Sequence, residues 1–80
     1  MAVKLVLLGK LADLAGMDER EIDAPLGWDA LLAVLDDPLA EAVAGEKTRI
    51  AVNGALLGDK TALAAQDGDE VALLPPVSGG

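Results

Sequence analysis

Eighty residues with 52% hydrophobic content suffice for one domain with one core and leave no room for a second, and that apolar share excludes a disordered chain. Fourteen acidic against six basic residues leave a net charge of −8, which excludes the clustered lysine and arginine that nucleic acid or an anionic membrane demands; it suits a basic protein surface or plain solubility. With no cysteine and no histidine, disulfides, thiol or Ser-His nucleophiles, histidine general bases and the usual metal ligands are all missing, and no metal site is expected.

The apolar residues are almost all Ala, Leu and Val, and Trp28 is the only aromatic. Val3 to Gly9 alternates like a strand. Leu11, Leu14 and Ala15 have helical spacing, and Gly16 is a natural stop, so a short helix is predicted there. Glu19 to Asp23 carries one apolar residue, Ile22, among charges and reads as an exposed strand returning beside the first. Gly27-Trp28-Asp29 opens the main helix, with Asp29 as N-cap and Leu31, Leu32, Val34 and Leu35 as its core stripe. Asp36-Asp37-Pro38 ends it, and Pro38 suits the first turn of a second short helix, Leu39 to Ala44, closed by Gly45.

Lys47 to Val52 is a predicted strand. Asn53-Gly54 is the strongest hairpin signal in the chain, returning through Ala55 to Leu57. Gly58 to Gln66 reads as irregular, with a helical turn at Ala62 to Ala65. Asp67-Gly68 is a second turn, feeding a last strand from Glu70 to Leu74. One substantial helix across a mixed sheet of four or five strands is an α+β domain of the ubiquitin-like β-grasp type, over residues 1–74. Residues 75–80 form a tail.

That tail, Pro75-Pro76-Val77-Ser78-Gly79-Gly80, carries the functional signal. The prolines fix their own φ and bias the chain toward an extended stalk. The two glycines have no side chains and can enter a channel closed to anything bulkier. The reactive group at the tip is the α-carboxylate of Gly80. A frayed end or a linker is the plain alternative for a Gly-Gly ending alone.

Three stretches, Ala51-Val52-Asn53-Gly54, Asp67-Gly68-Asp69-Glu70-Val71 and Leu74-Pro75-Pro76-Val77-Ser78-Gly79-Gly80, resemble the small subunit of molybdopterin synthase, and the resemblance runs the full length. Thiamin-pathway carriers share the Gly-Gly and the Asn-Gly turn but usually lack the double proline. The resemblance implies a sulfur carrier. An E1-like enzyme would use Mg-ATP to adenylate Gly80, a sulfur donor enzyme would convert the adenylate to a thiocarboxylate, and the tail would enter the large synthase subunit, within a heterotetramer, to hand sulfur to a pterin precursor. Gly79 would let the tip thread. The chain itself would bind no cofactor and would be a non-catalytic, sulfur-donating half of the synthase. Leu7, Leu8, Leu73 and Leu74 stand where many members carry phenylalanine, and Ala12 where an arginine is common.

Strand alternation places Val3, Leu5 and Leu7, with Val71 and Leu73, toward the helix. It turns Leu8 and Leu74 outward, with Leu56 beside them. This patch and the stalk residues Pro75, Pro76, Val77 and Ser78 form the predicted partner surface. Asp67, Asp69 and Glu70 do not match a calcium loop and read as a turn, Asp36-Asp37 as a solvated helix end, and Trp28 as a core plug rather than an interface anchor. The N-terminus lacks a signal-peptide pattern and no stretch reaches the length of a membrane span, so the chain reads as cytoplasmic. Carriers serving thiamin, cysteine or thio-tRNA synthesis, a ubiquitin-like modifier joined to lysines, and a plain interaction domain stay open as alternatives.

Overall fold

Alternation in the first and last apolar runs decides the layout. In the computed structural model, which describes residues 2–76, both runs are strands, β1 (Ala2–Leu7) and β7 (Glu70–Leu74). They lie side by side and parallel, with Leu5 opposite Val71 and Leu7 opposite Leu73. Between them come α1 (Lys10–Ala15), β2 (Glu19–Asp23), β3 (Leu26–Gly27), α2 (Trp28–Val34), α3 (Asp37–Ala44), β4 (Arg49–Val52), β5 (Ala55–Leu56), a 3-10 turn (Lys60–Ala62) and β6 (Ala64–Ala65). The main sheet runs β2-β1-β7-β4-β5, with every neighbouring pair but β1·β7 antiparallel. This is the expected α+β, ubiquitin-like β-grasp arrangement. Val3, Leu5, Leu7, Val71, Leu73 and Ile50 point from one sheet face into the core, where Leu11, Leu31, Leu39 and Val43 of the helices cover them.

Three details differ from the sequence reading. No single helix dominates, since α1, α2 and α3 have 6, 7 and 8 residues. As read from the sequence, Pro38 starts the next helix, because a first-turn N–H has no intrahelical acceptor and its loss costs nothing there. Gly27, not Asp29, is the N-cap of α2; Asp29 lies inside the first turn, where its charge favours the positive helix end. Finally, Gly58 to Gln66 is ordered differently. The turn is 3-10, two residues earlier than expected, and Asp59 caps it by accepting from the Thr61 N–H (3.0 Å). Ala64–Ala65 then pairs antiparallel with Leu26–Gly27 as a second, two-stranded sheet. The pairing joins segments some forty residues apart, so no local pattern announces it.

Trp28 packs partly buried against the core, as expected of a plug. The Lys60 ammonium lies 5.8 Å from its ring centroid. Lys60 Nζ also donates to the carbonyls of Val43 and Thr48 (both 2.9 Å) and of Gly45, closing the C-terminal end of α3. Burial pushes its pKa down, and Glu46 partly offsets this. Thr48, the buried polar side chain of this region, donates its hydroxyl to the Ala42 carbonyl (2.7 Å).

The Asn53-Gly54 turn takes positive φ at both residues (51° and 86°), as the hairpin signal requires. It is tied to the neighbouring turn: the Asn53 amide donates to Asp69 (3.0 Å), and the Glu70 N–H donates to the Asn53 side-chain oxygen (2.9 Å). Asp69 also accepts from the Gln66 N–H (2.8 Å), while Asp67 accepts from the Ala2 N–H (2.9 Å). Asp67, Asp69 and Glu70 thus serve a turn feeding a strand. The Gln66 N–H first, then the Asn53 amide, hold the Asp69 carboxyl below its ordinary pKa. A depressed folded-state pKa means the folded chain binds fewer protons than the unfolded chain between the two values. The stabilisation is therefore complete near neutral pH and is lost as pH falls from about 4 through the folded value. Urea midpoints across pH 2–7 are expected to show this loss, with Asp69→Asn flattening that limb.

Candidate functional site

β7 occupies the middle of the sheet, so the chain that follows it leaves from the best-anchored strand of the fold. Register fixes what surrounds the exit. Leu73 is fully buried, and Leu74, one residue on, turns to the opposite face. The Leu8 N–H donates to the Leu73 carbonyl (3.3 Å), which extends the parallel ladder and sets Leu8 beside Leu74 on that outer face. Leu56 shares the face through the row Leu56, Ala51, Ala72, Val6. Leu8 is 42% and Leu56 60% exposed, whereas Leu74 is half-buried among its neighbours. The three predicted leucines therefore lie on one face, with Leu8 and Leu74 adjacent and Leu56 across the small Ala51–Ala72 strip. Arg49 stands directly opposite Leu74 and makes no ion pair among the described residues. Farther along the face, Lys4 bridges Glu19 (3.2 Å) and approaches Glu70 (3.9 Å), and the Glu19 hydrogen bond raises its pKa.

Pro75 is half-buried and Pro76 exposed. A Cβ built on Gly9 would stand 3.0 Å from Pro75 Cγ, so the stalk leaves the domain by lying against a bare glycine backbone. Gly9 has φ 54° and ψ −129°, a conformation that other residues hold only under strain. The sequence reading passed over Gly9 as a strand end. Its signal was a glycine at a strand-to-helix step, but its partner is sixty-six positions away. Gly9→Ala is expected to destabilise the domain by about 1–3 kcal/mol, read as a drop in melting temperature of about 4–8 °C per kcal/mol, and to displace Pro75. On the far side of Pro75 and Pro76, a cavity of about 500 Å³ is floored by Leu11 and Leu14 and edged by Lys10 and Lys47. Leu14 is 54% exposed there, although it shares the helical spacing of the buried Leu11.

Val77, Ser78, Gly79 and Gly80, the distal part of the predicted site, lie outside the described residues. Among the described residues, no group of three or more acidic side chains is placed to hold a metal ion, and no helix is long and apolar enough to cross a membrane.

The ThiS family pattern matches residues 5–80. A search of curated proteins returns no match. Among solved structures, the chain is similar to the putative molybdopterin converting factor, subunit 1, of Pyrococcus furiosus, at 32% identity over 96% of this chain and 99% of that one, with a TM-score of 0.73. It is similar to the small archaeal modifier protein 1 of Methanosarcina acetivorans at 28% identity over 99% and 96% of the two chains, TM-score 0.76. It is also similar to a chain of the complex of subunits 1 and 2 of the molybdopterin-converting factor of Helicobacter pylori, at 29% identity over the whole of both chains, TM-score 0.67. With the matched pattern running to Gly80 through the central strand and its stalk, the chain belongs to the ThiS family, a β-grasp family of sulfur carriers and ubiquitin-like modifiers.

Proposed function

We propose that the chain is the sulfur carrier of a molybdopterin synthase, its C-terminal carboxylate serving as the group that accepts and delivers sulfur. The observation that carries the reading is the ending Leu74-Pro75-Pro76-Val77-Ser78-Gly79-Gly80, issuing from the middle strand of the sheet beside an apolar face. The Pyrococcus likeness supports it.

The chemistry follows from the tip. A carboxylate ionised at neutral pH is a poor acyl electrophile. Attack of the Gly80 carboxylate on the α-phosphate of ATP forms an acyl-adenylate and releases pyrophosphate. Sulfur at the oxidation level of sulfide then attacks the carbonyl carbon, the C–O bond to AMP breaks, AMP leaves, and a thiocarboxylate remains. As the family resemblance implies, an E1-like enzyme would activate the tip, a sulfur donor enzyme would supply the sulfur and the large synthase subunit would receive it; the chain itself has no histidine or cysteine to assist. The absence of cysteine also leaves no internal thiol to capture the activated ester.

Intact mass after incubation with an E1-like enzyme, Mg-ATP and a sulfur source tests the proposal. The expected gain is that of one sulfur replacing one oxygen, localised to Gly80; an unchanged mass with a competent activating enzyme overturns it. The similarity to the archaeal modifier favours a second reading, conjugation of Gly80 to lysines of other proteins. Isopeptide-linked adducts of this chain in cell extract, without a thiocarboxylate form, would select that reading.

A further inference from the structure

β2 is an edge strand of the main sheet, with no strand paired to its outer side among the described residues. In an antiparallel pair, alternate residues bond the partner strand and the others turn both backbone groups away from it. The Leu7 N–H donates to the Asp18 carbonyl (2.8 Å), and the register continues through Leu5 opposite Arg20 and Val3 opposite Ile22. Arg20 and Ile22 are therefore the bonded residues. The N–H and C=O groups of Glu19, Glu21 and Asp23 point to the open side, where β2 ends the sheet and no described residue pairs with them. Beside that edge, between β2 and α2, runs a groove of about 390 Å³ lined by Ile22, Leu26, Ala30 and Val34, with Glu21 and Asp23 at its rim. Arg20 closes one end of this groove, its guanidinium donating to the Val34 carbonyl (3.0 Å) where α2 ends, so the open apolar stretch runs from Ile22 to Leu26 and Ala30.

We propose that this edge binds an extended basic–apolar peptide segment of a partner protein as an added strand. Added residues alternate in direction, so those over Ile22 would dip apolar side chains into the groove. Those opposite Glu21 and Asp23 would stand on the outer face, where neither carboxylate has an ion-pair partner among the described residues. Opposite charges facing each other across strands are favourable and like charges are not. The acidic row therefore selects lysine and arginine in the incoming strand, and it disfavours a second copy of this chain, whose own β2 would bring Glu and Asp against Glu and Asp. The charges that protect an open edge from self-association also choose its partner.

The test is a titration of the full chain, followed by backbone amide NMR and hydrogen exchange, with a short peptide of alternating lysine and valine. Saturable binding is expected, with new exchange protection at the amides of Glu19, Glu21 and Asp23. A central proline in the peptide removes a ladder donor and is expected to abolish binding. Reversing both rim charges, Glu21→Lys with Asp23→Lys, is expected to weaken it about tenfold. Ala30→Trp, which fills the groove from α2 without touching β2, is expected to block it. Absence of binding, equal binding of the proline peptide or of a glutamate–valine peptide, protection elsewhere on the fold, or a β2-to-β2 dimer overturns the proposal. Loss of sulfur loading at Gly80 leaves this result unaffected, so the two proposals fail separately.

Discussion

Deleting Gly80 is expected to abolish sulfur loading completely while leaving the melting temperature unchanged. The buried core of the described residues runs from Val3 to Leu73 and closes before the tail begins. Truncation moves the terminal carboxylate back by one residue, about 3.5 Å of extended chain. That exceeds the positional tolerance of an acyl-transfer site, where about 1 Å of misplacement costs about a hundredfold. Gly79→Val is expected to behave similarly, because a β-branched side chain both widens and stiffens the tip. Intact mass with the activating enzyme reads loading, and a thermal melt reads the fold. Normal loading of the truncated chain would place the acceptor group elsewhere.

Leu73→Glu and Leu74→Glu are expected to separate stability from partner binding, although the two residues are neighbours. Leu73 is fully buried against Leu7 and Ile50, and a carboxylate there has no polar partner. The cost of several kcal/mol takes most of the roughly 5–15 kcal/mol that holds a domain of this size, so Leu73→Glu should be unfolded at room temperature. Leu74 is half-buried on the outer face, opposite the exposed Arg49 in the register, where a glutamate can reach solvent. Leu74→Glu should therefore fold with at most a modest loss of stability. It should weaken binding to both the E1-like enzyme and the large subunit by one or more orders of magnitude, through burial of an uncompensated charge in an apolar contact. Both partners must accept the same tail, so both should lose affinity. Melts of the two variants and a titration with each partner decide it; a folded Leu73→Glu beside an unfolded Leu74→Glu would contradict the register of β7.

The sheet was largely legible because its signals are local. Val3, Leu5 and Leu7 alternate within six residues, Asn53-Gly54 and Asp67-Gly68 announce turns by their tolerance of positive φ, and β2 and β7 fall at Glu19–Asp23 and Glu70–Leu74 as read. The start of the stalk was legible because proline constrains its own backbone: Pro75 and Pro76 follow β7 directly, as read. The helices were less so: Pro38 announced both the end of one helix and the start of the next, but three short helices of 6, 7 and 8 residues share the cover of the sheet, a division that packing set and no local signal showed.

The sequence by itself determined the fold class and the strands that carry the core, since period and turn chemistry are properties of adjacent residues. Tertiary structure alone decided that Pro75 rests on Gly9, that Arg49 faces Leu74, that Lys60 closes α3 beside Trp28, and that β3 pairs with β6. Each of these joins residues far apart in the chain, and register and packing set such contacts only once the whole core has formed.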